Sequence, residues 1–219
     1  MKALLVLALL ASAEWKKQGS SLVLYSSGTI AGEQPLGTWD EPKGVRVIVH
    51  KVKGGVSKDG RFAWTFDAQN AWNYAKTQRL EKRNVLRYFG TSGSELWTSQ
   101  AADAPVLSGE PVSISDDGET VLMAARDAGS WRVEVRSYLG NEKWVIGPLP
   151  VLESMRLTGN GKYGELRWSK VDEDTIFTVL DLAAQKREDI PASKLKLGKA
   201  RLEDDGRVVS GGKVVFSFK

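Results

Sequence analysis

Apolar and polar residues alternate in short runs along most of this chain, and most runs end at a glycine. The alternation is plainest at Trp131, Val133 and Val135 against Arg132, Glu134 and Arg136. That period of two is the signature of a strand with one face buried. Four segments then share a turn followed by a short apolar strand: Val56 to Phe62, Ser113 to Val121, Arg156 to Tyr163, and Arg201 to Val208. Their turn glycines Gly60, Gly118, Gly161 and Gly206 follow one another at spacings of 58, 43 and 45 residues. Asp-Gly and Asn-Gly tolerate a positive φ, so each marks a tight hairpin between two strands.

A second element recurs in phase with the first. Asn84 to Phe89 runs into Gly93-Ser94-Glu95-Leu96-Trp97, and Trp131 to Tyr138 runs into Gly140-Asn141-Glu142-Lys143-Trp144. Each is an alternating strand, a glycine turn and a Trp four residues later. A third copy keeps the strand from Thr175 to Leu182 but carries Arg187 at the Trp position. One unit therefore reads strand, Asp-Gly hairpin, strand, loop, alternating strand, Gly turn, strand. Four antiparallel strands in about 40–45 residues is the size of a propeller blade.

The expected fold is all-β: a small β-propeller of about four four-stranded blades, with a degenerate fifth between Gly28 and Val49 as the alternative. The last copy ends with the strand Lys213 to Phe218, one short of a full blade, and Ser21 to Gly28 opens the domain with a strand and turn. Pairing of the N- and C-terminal strands is expected to complete that blade and hide both sheet edges. Trp97 and Trp144 recur with the repeat and read as packing between blades.

The first repeat carries about eleven extra residues between Phe66 and Val85. Ala68, Ala71, Trp72, Ala75 and Arg79 fall at helical spacing there, with Asp67 placed to cap the helix. Lys76, Arg79, Lys82 and Arg83 against Glu81 give the densest positive charge in the chain. Insertions into repeat proteins map to one face, often the binding face. Trp72, Tyr74, Lys76, Arg79, Lys82 and Arg83 are therefore the candidate partner-binding residues.

The Ser-x-Asp-Gly turns with apolar strands, followed by strand-Gly-x-x-x-Trp, resemble the bacterial WD40-like and quinoprotein-like β-propellers. The resemblance covers roughly residues 45–219 and implies architecture, with a scaffold role in envelope assemblies for members that carry the Gly-x-x-x-Trp strand. The quinone and metal of the enzymatic members have no matching constellation here. Trp39-Asp40 spells the WD dipeptide but lies among Pro and Gly without the other landmarks.

Composition narrows the chemistry further. Forty-two per cent of the 219 residues are hydrophobic, enough for a packed core, and the net charge of +4 is spread among interspersed acids and bases, with no long basic run of a nucleic-acid-binding arm. With no Cys there are no disulfides, thiol nucleophiles or thiolate metal sites. His50 is the single histidine, which excludes multi-histidine metal sites, and no Gly-x-Ser-x-Gly elbow accompanies it. The acidic turns Asp116-Asp117 and Asp204-Asp205 lack the alternating ligand spacing of a calcium loop. No metal and no cofactor are expected.

Met1-Lys2, the apolar run Ala3 to Leu10 and Ala11-Ser12-Ala13 read as a signal peptide over residues 1–13, leaving 14–219 as one domain. The alternative is a buried first strand or helix. No later segment reaches the roughly 20 apolar residues of a membrane span. The sequence thus points to a periplasmic or secreted, non-catalytic scaffold that binds another envelope protein. A lectin-like propeller binding a glycan or small ligand through aromatic residues, and a carbohydrate-active enzyme with loop carboxylates, are the alternatives.

Overall fold

The computed structural model describes residues 13–36, 44–101, 111–127, 129–170, 173–196 and 199–218. Eighteen strands among them form five antiparallel sheets in chain order. Sheet A holds β1 (Ala13–Gln18), β2 (Ser21–Ser26) and β3 (Thr29–Pro35). Sheet B holds β4 (Val45–Val56), β5 (Ala63–Asn73), β6 (Arg79–Phe89) and β7 (Glu95–Ala101). Sheet C holds β8 (Val112–Ile114), β9 (Thr120–Asp127), β10 (Ser130–Ser137) and β11 (Glu142–Leu149). Sheet D holds β12 (Val151–Leu157), β13 (Tyr163–Ser169), β14 (Ile176–Asp181) and β15 (Lys186–Pro191). Sheet E holds β16 (Ala200–Leu202), β17 (Arg207–Ser210) and β18 (Lys213–Ser217). Every strand pairs with its neighbour in sequence, so B, C and D are four-stranded meanders of the kind a propeller blade is made from.

The repeated Ser/Thr-x-Asp/Asn-Gly sequence makes the first hairpin of these sheets. In sheet C the Gly118 amide donates to the Ser115 carbonyl at 2.9 Å, and the Ser115 and Thr120 backbones pair at 3.0 Å. The Asp117 carboxylate accepts from the Ser115 hydroxyl at 2.5 Å and from the Glu119 amide at 3.0 Å, while the Ser115 hydroxyl oxygen accepts the Thr120 amide at 3.0 Å. Ser57 and Asp59 repeat this set, and Thr158 and Asn160 repeat it with an amide in place of the acid. A short polar side chain that bonds its own backbone two residues on is what selects these residue types for the turn.

The turn glycines also join one sheet to the next. All four adopt positive φ, between 66° and 79°. A Cβ on Gly118 would lie 2.5 Å from the Phe62 ring of sheet B, and one on Gly206 would lie 2.8 Å from the Tyr163 ring of sheet D. Gly161 faces Ser115 and Thr120 of sheet C, and Gly60 faces Glu14 of sheet A. Phe62, Thr120 and Tyr163 each stand two residues past their own turn glycine, so the contact passes from turn to turn. Backbone bonds follow the same path: Asp59 N–H to Asp116 O at 3.1 Å, and Asp116 N–H to Gly159 O at 2.7 Å. The Tyr88 hydroxyl of sheet B donates to Gly118 O at 2.6 Å. Burial pushes the Tyr88 phenol well above its usual range, so it stays a donor.

The apolar core is accordingly divided into four layers, one per interface. Trp15, Leu22 and Leu24 of A meet Ala63 and Phe89 of B. Phe62, Trp64, Phe66, Leu86 and Tyr88 of B meet Val112, Val121 and Met123 of C. Trp131, Val133 and Val135 of C meet Met155, Leu166 and Trp168 of D, and Phe177 and Val179 of D meet Leu202 and Val208 of E. Because both faces of an inner sheet are covered, polar residues of the alternating strands are buried too. Glu134 is 2% exposed and receives Arg132 at 2.9 Å and Arg136 at 2.6 Å. Trp97 stacks on Tyr88, with ring centroids 5.3 Å apart, and donates its indole N–H to Tyr138 O at 3.0 Å. It therefore links sheets B and C, as its place in the repeat implied.

Two expectations are corrected. The N-terminal strands do not pair with the C-terminal ones: β1–β3 form sheet A by themselves, and no ladder joins A to E among the described residues. Glu14 sits on Gly60 as Phe62 sits on Gly118, which makes β1 the equivalent of a second strand. The stretch from Asp67 to Arg79 is not helical either. It extends β5, turns at residues 74–78 and returns as β6. Of the positions that mimic a helical stripe, Ala68 and Ala71 lie three residues apart on opposite faces of β5 and are 9% and 5% exposed, Ala75 falls in the turn, and Asp67 is a buried strand residue. Residues 1–12, Trp39 and Asp40 lie outside the described residues.

Replacing Gly118 with Ala combines a strained φ with a clash, and about 2–4 kcal/mol should be lost in urea unfolding. Gly28, at φ 79° with nothing within 4 Å of a Cβ, should lose only about 1 kcal/mol as Ala. Equal losses at the two positions would show that the intersheet contact is not what Gly118 serves.

Candidate functional site

Sheet B is longer than the others at one end. β5 and β6 each run 11 residues, against 7 and 6 for the equivalent β13 and β14. At about 3.3 Å per residue the extra length is about 15 Å. In a meander, the turn between strands two and three lies at the same end as the link from strand four to the next sheet. The tip of the β5–β6 arm therefore stands at the opposite end from the Asp-Gly turns. The tip is closed by Asn73, whose side-chain oxygen accepts the Thr77 and Gln78 amides at 2.8 and 3.1 Å and whose NH2 donates to the Thr77 hydroxyl at 2.7 Å. Lys76 takes a positive φ of 57° within it. Tyr74 is 76% exposed at the tip and Leu80 51% exposed beside it.

The six candidate residues all fall on this arm. Trp72 is near the end of β5, Tyr74 and Lys76 are in the turn, and Arg79, Lys82 and Arg83 are on β6. The ladder makes Trp72 and Arg79 direct cross-strand partners, whereas Lys82 pairs with Asn70 and Arg83 with Gln69. The sequence reading missed Arg46. It pairs with Trp72 from the β4 side, giving the three-strand row Arg46, Trp72, Arg79. The signal was present, since Val45 to Val49 alternates as a strand, but the pairing of that strand with the insertion was not visible in one dimension.

At the base of the arm β5 carries buried polar residues on one face: Thr65 and Asp67 are each 1% exposed. Arg87 approaches one Asp67 oxygen at 3.6 Å and also Glu95 at 3.6 Å. Thr65 Oγ1 and the other Asp67 oxygen are buried without a hydrogen-bond partner among the described residues. Burial pushes the Asp67 carboxyl up to about 6, against the pull of the Arg87 charge.

Other proposed chemistries are less well served. Trp15, Trp131 and Trp168 are 3%, 8% and 6% exposed, so they line sheet interfaces and are not open to a sugar. Among the described residues no group of three His, Cys, Asp or Glu side chains is placed to hold a metal. His50 lies on β4. The described residues line a shallow hollow of about 550 Å³ beside Lys199, Arg201 and Val209 and another of about 530 Å³ beside Glu173, Asp174 and Ser193.

No family model matches the chain, and no curated protein matches it in sequence. Solved structures do match in shape. A putative TolB from Agrobacterium tumefaciens is 14% identical, with a TM-score of 0.46 over 91% of this chain and 68% of that one. The β-propeller domain of the Trilobed protease from Pyrococcus furiosus is 9% identical, with a TM-score of 0.43 over 66% of this chain and 43% of that one. The Dos1 propeller is 9% identical, with a TM-score of 0.44 over 86% and 61%. No helix among the described residues is long and apolar enough to cross a membrane.

Asp67 sets a pH dependence whose sign is fixed by its raised value. The unfolded carboxyl titrates near 3.8 and the folded one near 6. Below about 4 both are neutral and burial costs nothing, stability falls as pH rises toward 6, and the full cost persists above that. Asp67→Asn should therefore match the wild type near pH 4 and exceed it at pH 7 by on the order of 3 kcal/mol. A difference that does not change with pH in urea titrations would show that Asp67 is not neutralised by burial.

Proposed function

We propose that this chain is a non-catalytic protein-binding module of the bacterial cell envelope, a propeller whose five sheets are its blades and whose β5–β6 arm is the docking element. The observation that carries this reading is the arm itself: a hairpin that outreaches its sheet and presents an exposed Tyr and Leu beside the basic Lys76 and Arg79. Large aromatic and Arg side chains held on a rigid element are the groups that supply most of the energy at protein interfaces. The apolar run Ala3 to Leu10 ahead of Ala11-Ser12-Ala13 supports export to the periplasm or medium. A carbohydrate-active enzyme is the second reading, favoured by the hollow that Glu173 and Asp174 line.

The ladder shows how to remove the arm without disturbing the sheet. Asn70 and Lys82 are paired, so an Asn-Gly turn can replace residues 71–81. Tagged wild type, crosslinked in its native envelope, should recover a defined protein that the shortened variant loses by about tenfold or more. Recovery of the same protein by both would remove the arm from the function. Glycan hydrolysis abolished by Glu173→Gln with Asp174→Asn would favour the enzyme instead.

A further inference from the structure

The charge of the molecule is divided unevenly. Residues 44–53 and 67–87, the long strands of the arm and the turn between β5 and β6, contain eight Lys and Arg against Asp67 and Glu81, a net +6. The whole chain is only +4, so everything else sums to −2.

Arginine pairing differs in the same place. Among the described residues of the other sheets, exposed arginines sit on a carboxylate: Arg61 on Asp59, Arg201 on Glu203 and Arg207 on Asp205, each two residues away at 2.5 to 2.6 Å, and Arg156 on Glu165 at 2.8 Å. Arg46 and Arg79 are exposed, and neither meets an acid among the described residues. They flank Trp72 in one cross-strand row. Two unneutralised guanidinium groups separated by one indole, with Leu80 and Tyr74 exposed nearby, form a surface with both charge and apolar area.

Resting on the protein-binding reading, we propose that the arm recognises an acidic polypeptide segment, whose carboxylates pair with Arg46 and Arg79 while an apolar side chain packs beside Trp72. Guanidinium groups bind carboxylates in a two-point fork, so the row discriminates by geometry as well as by charge. A polypeptide suits this surface better than a nucleic acid or a lipid face. The net positive charge is confined to one arm where a nucleic acid needs a longer track of phosphate contacts, and exposed Leu80 calls for an apolar partner group.

The test uses the full chain and fluorescence anisotropy with a labelled peptide of alternating Asp, Leu and Ser. The wild type should bind it, and binding should weaken as NaCl rises from about 50 to about 300 mM. Arg46→Glu with Arg79→Glu should reduce affinity by about tenfold or more. Arg201→Glu, a basic site on sheet E outside the arm, should leave it unchanged. Circular dichroism establishes that the double variant is folded, and the milder Arg46→Gln with Arg79→Gln should give an intermediate loss. Equal binding by wild type and the double variant would overturn the proposal. So would binding to single-stranded oligo-dT or to phosphatidylglycerol vesicles without binding to the peptide. If the arm-dependent partner is recovered from the envelope but the acidic peptide does not bind, docking stands and the acidic specificity fails.

Discussion

Where one sheet meets the next, a glycine with positive φ lies against a side chain of the sheet before it, and the rest of the architecture depends on that approach. Gly118 under Phe62 and Gly206 under Tyr163 let two backbones come closer than any Cβ would allow. The Asp or Asn two residues into each turn then ties the loop to itself, so the turn is rigid before it docks. Rigidity matters because these contacts are serial. Each sheet has partners only on its two sides, and the stability of such an array is close to a sum of interface terms. A loose turn at Gly118 would weaken the B–C layer and leave the C–D layer intact.

The same serial packing explains where charge is hidden. An inner sheet has no solvent face, so the polar half of an alternating strand must be neutralised inside an interface. Glu134 does this with Arg132 and Arg136, and Glu165 with Arg156 at 2.8 Å. Glu165 also accepts the Leu202 amide of sheet E at 3.0 Å, so the buried acid fastens one sheet to the next. Asp67 is the contrasting case. It has one distant guanidinium, one oxygen without a partner and a carboxyl raised to about 6. Unsatisfied buried polar groups cost stability, and here the cost falls at the base of the arm.

Much of this was legible in the sequence. The turns were, because Asp-Gly and Asn-Gly have a local reason to exist, and the order of strands within a unit followed from them. So were the packing role of Trp97 and the location of the unusual segment. Three things were not. Helical spacing at Ala68, Ala71, Trp72, Ala75 and Arg79 misled because β5 buries Ala68 and Ala71 on opposite faces and so shows no polar phase there to reveal its period. β1 was hidden because Glu14-Trp15-Lys16-Lys17-Gln18 buries only Trp15, and without β1 the N-terminal sheet looked like one strand in search of the last blade. Arg46 was missed because its relation to Trp72 exists only through the register of β4 on β5.

The arm gains its position from this same distinction. Extending a hairpin adds ladder bonds locally and asks nothing of the neighbouring sheets, so β5 and β6 can lengthen while the glycine contacts below stay in place. What changes above those contacts is the covering. Past Phe66 the strand leaves the B–C apolar layer, and its register places Trp72 between two arginines instead of in a core. Elsewhere among the described residues exposed arginine is balanced by a nearby acid. On the arm that balance is withheld from Arg46 and Arg79, and a fold that neutralises its charges so consistently leaves these two to be met from outside.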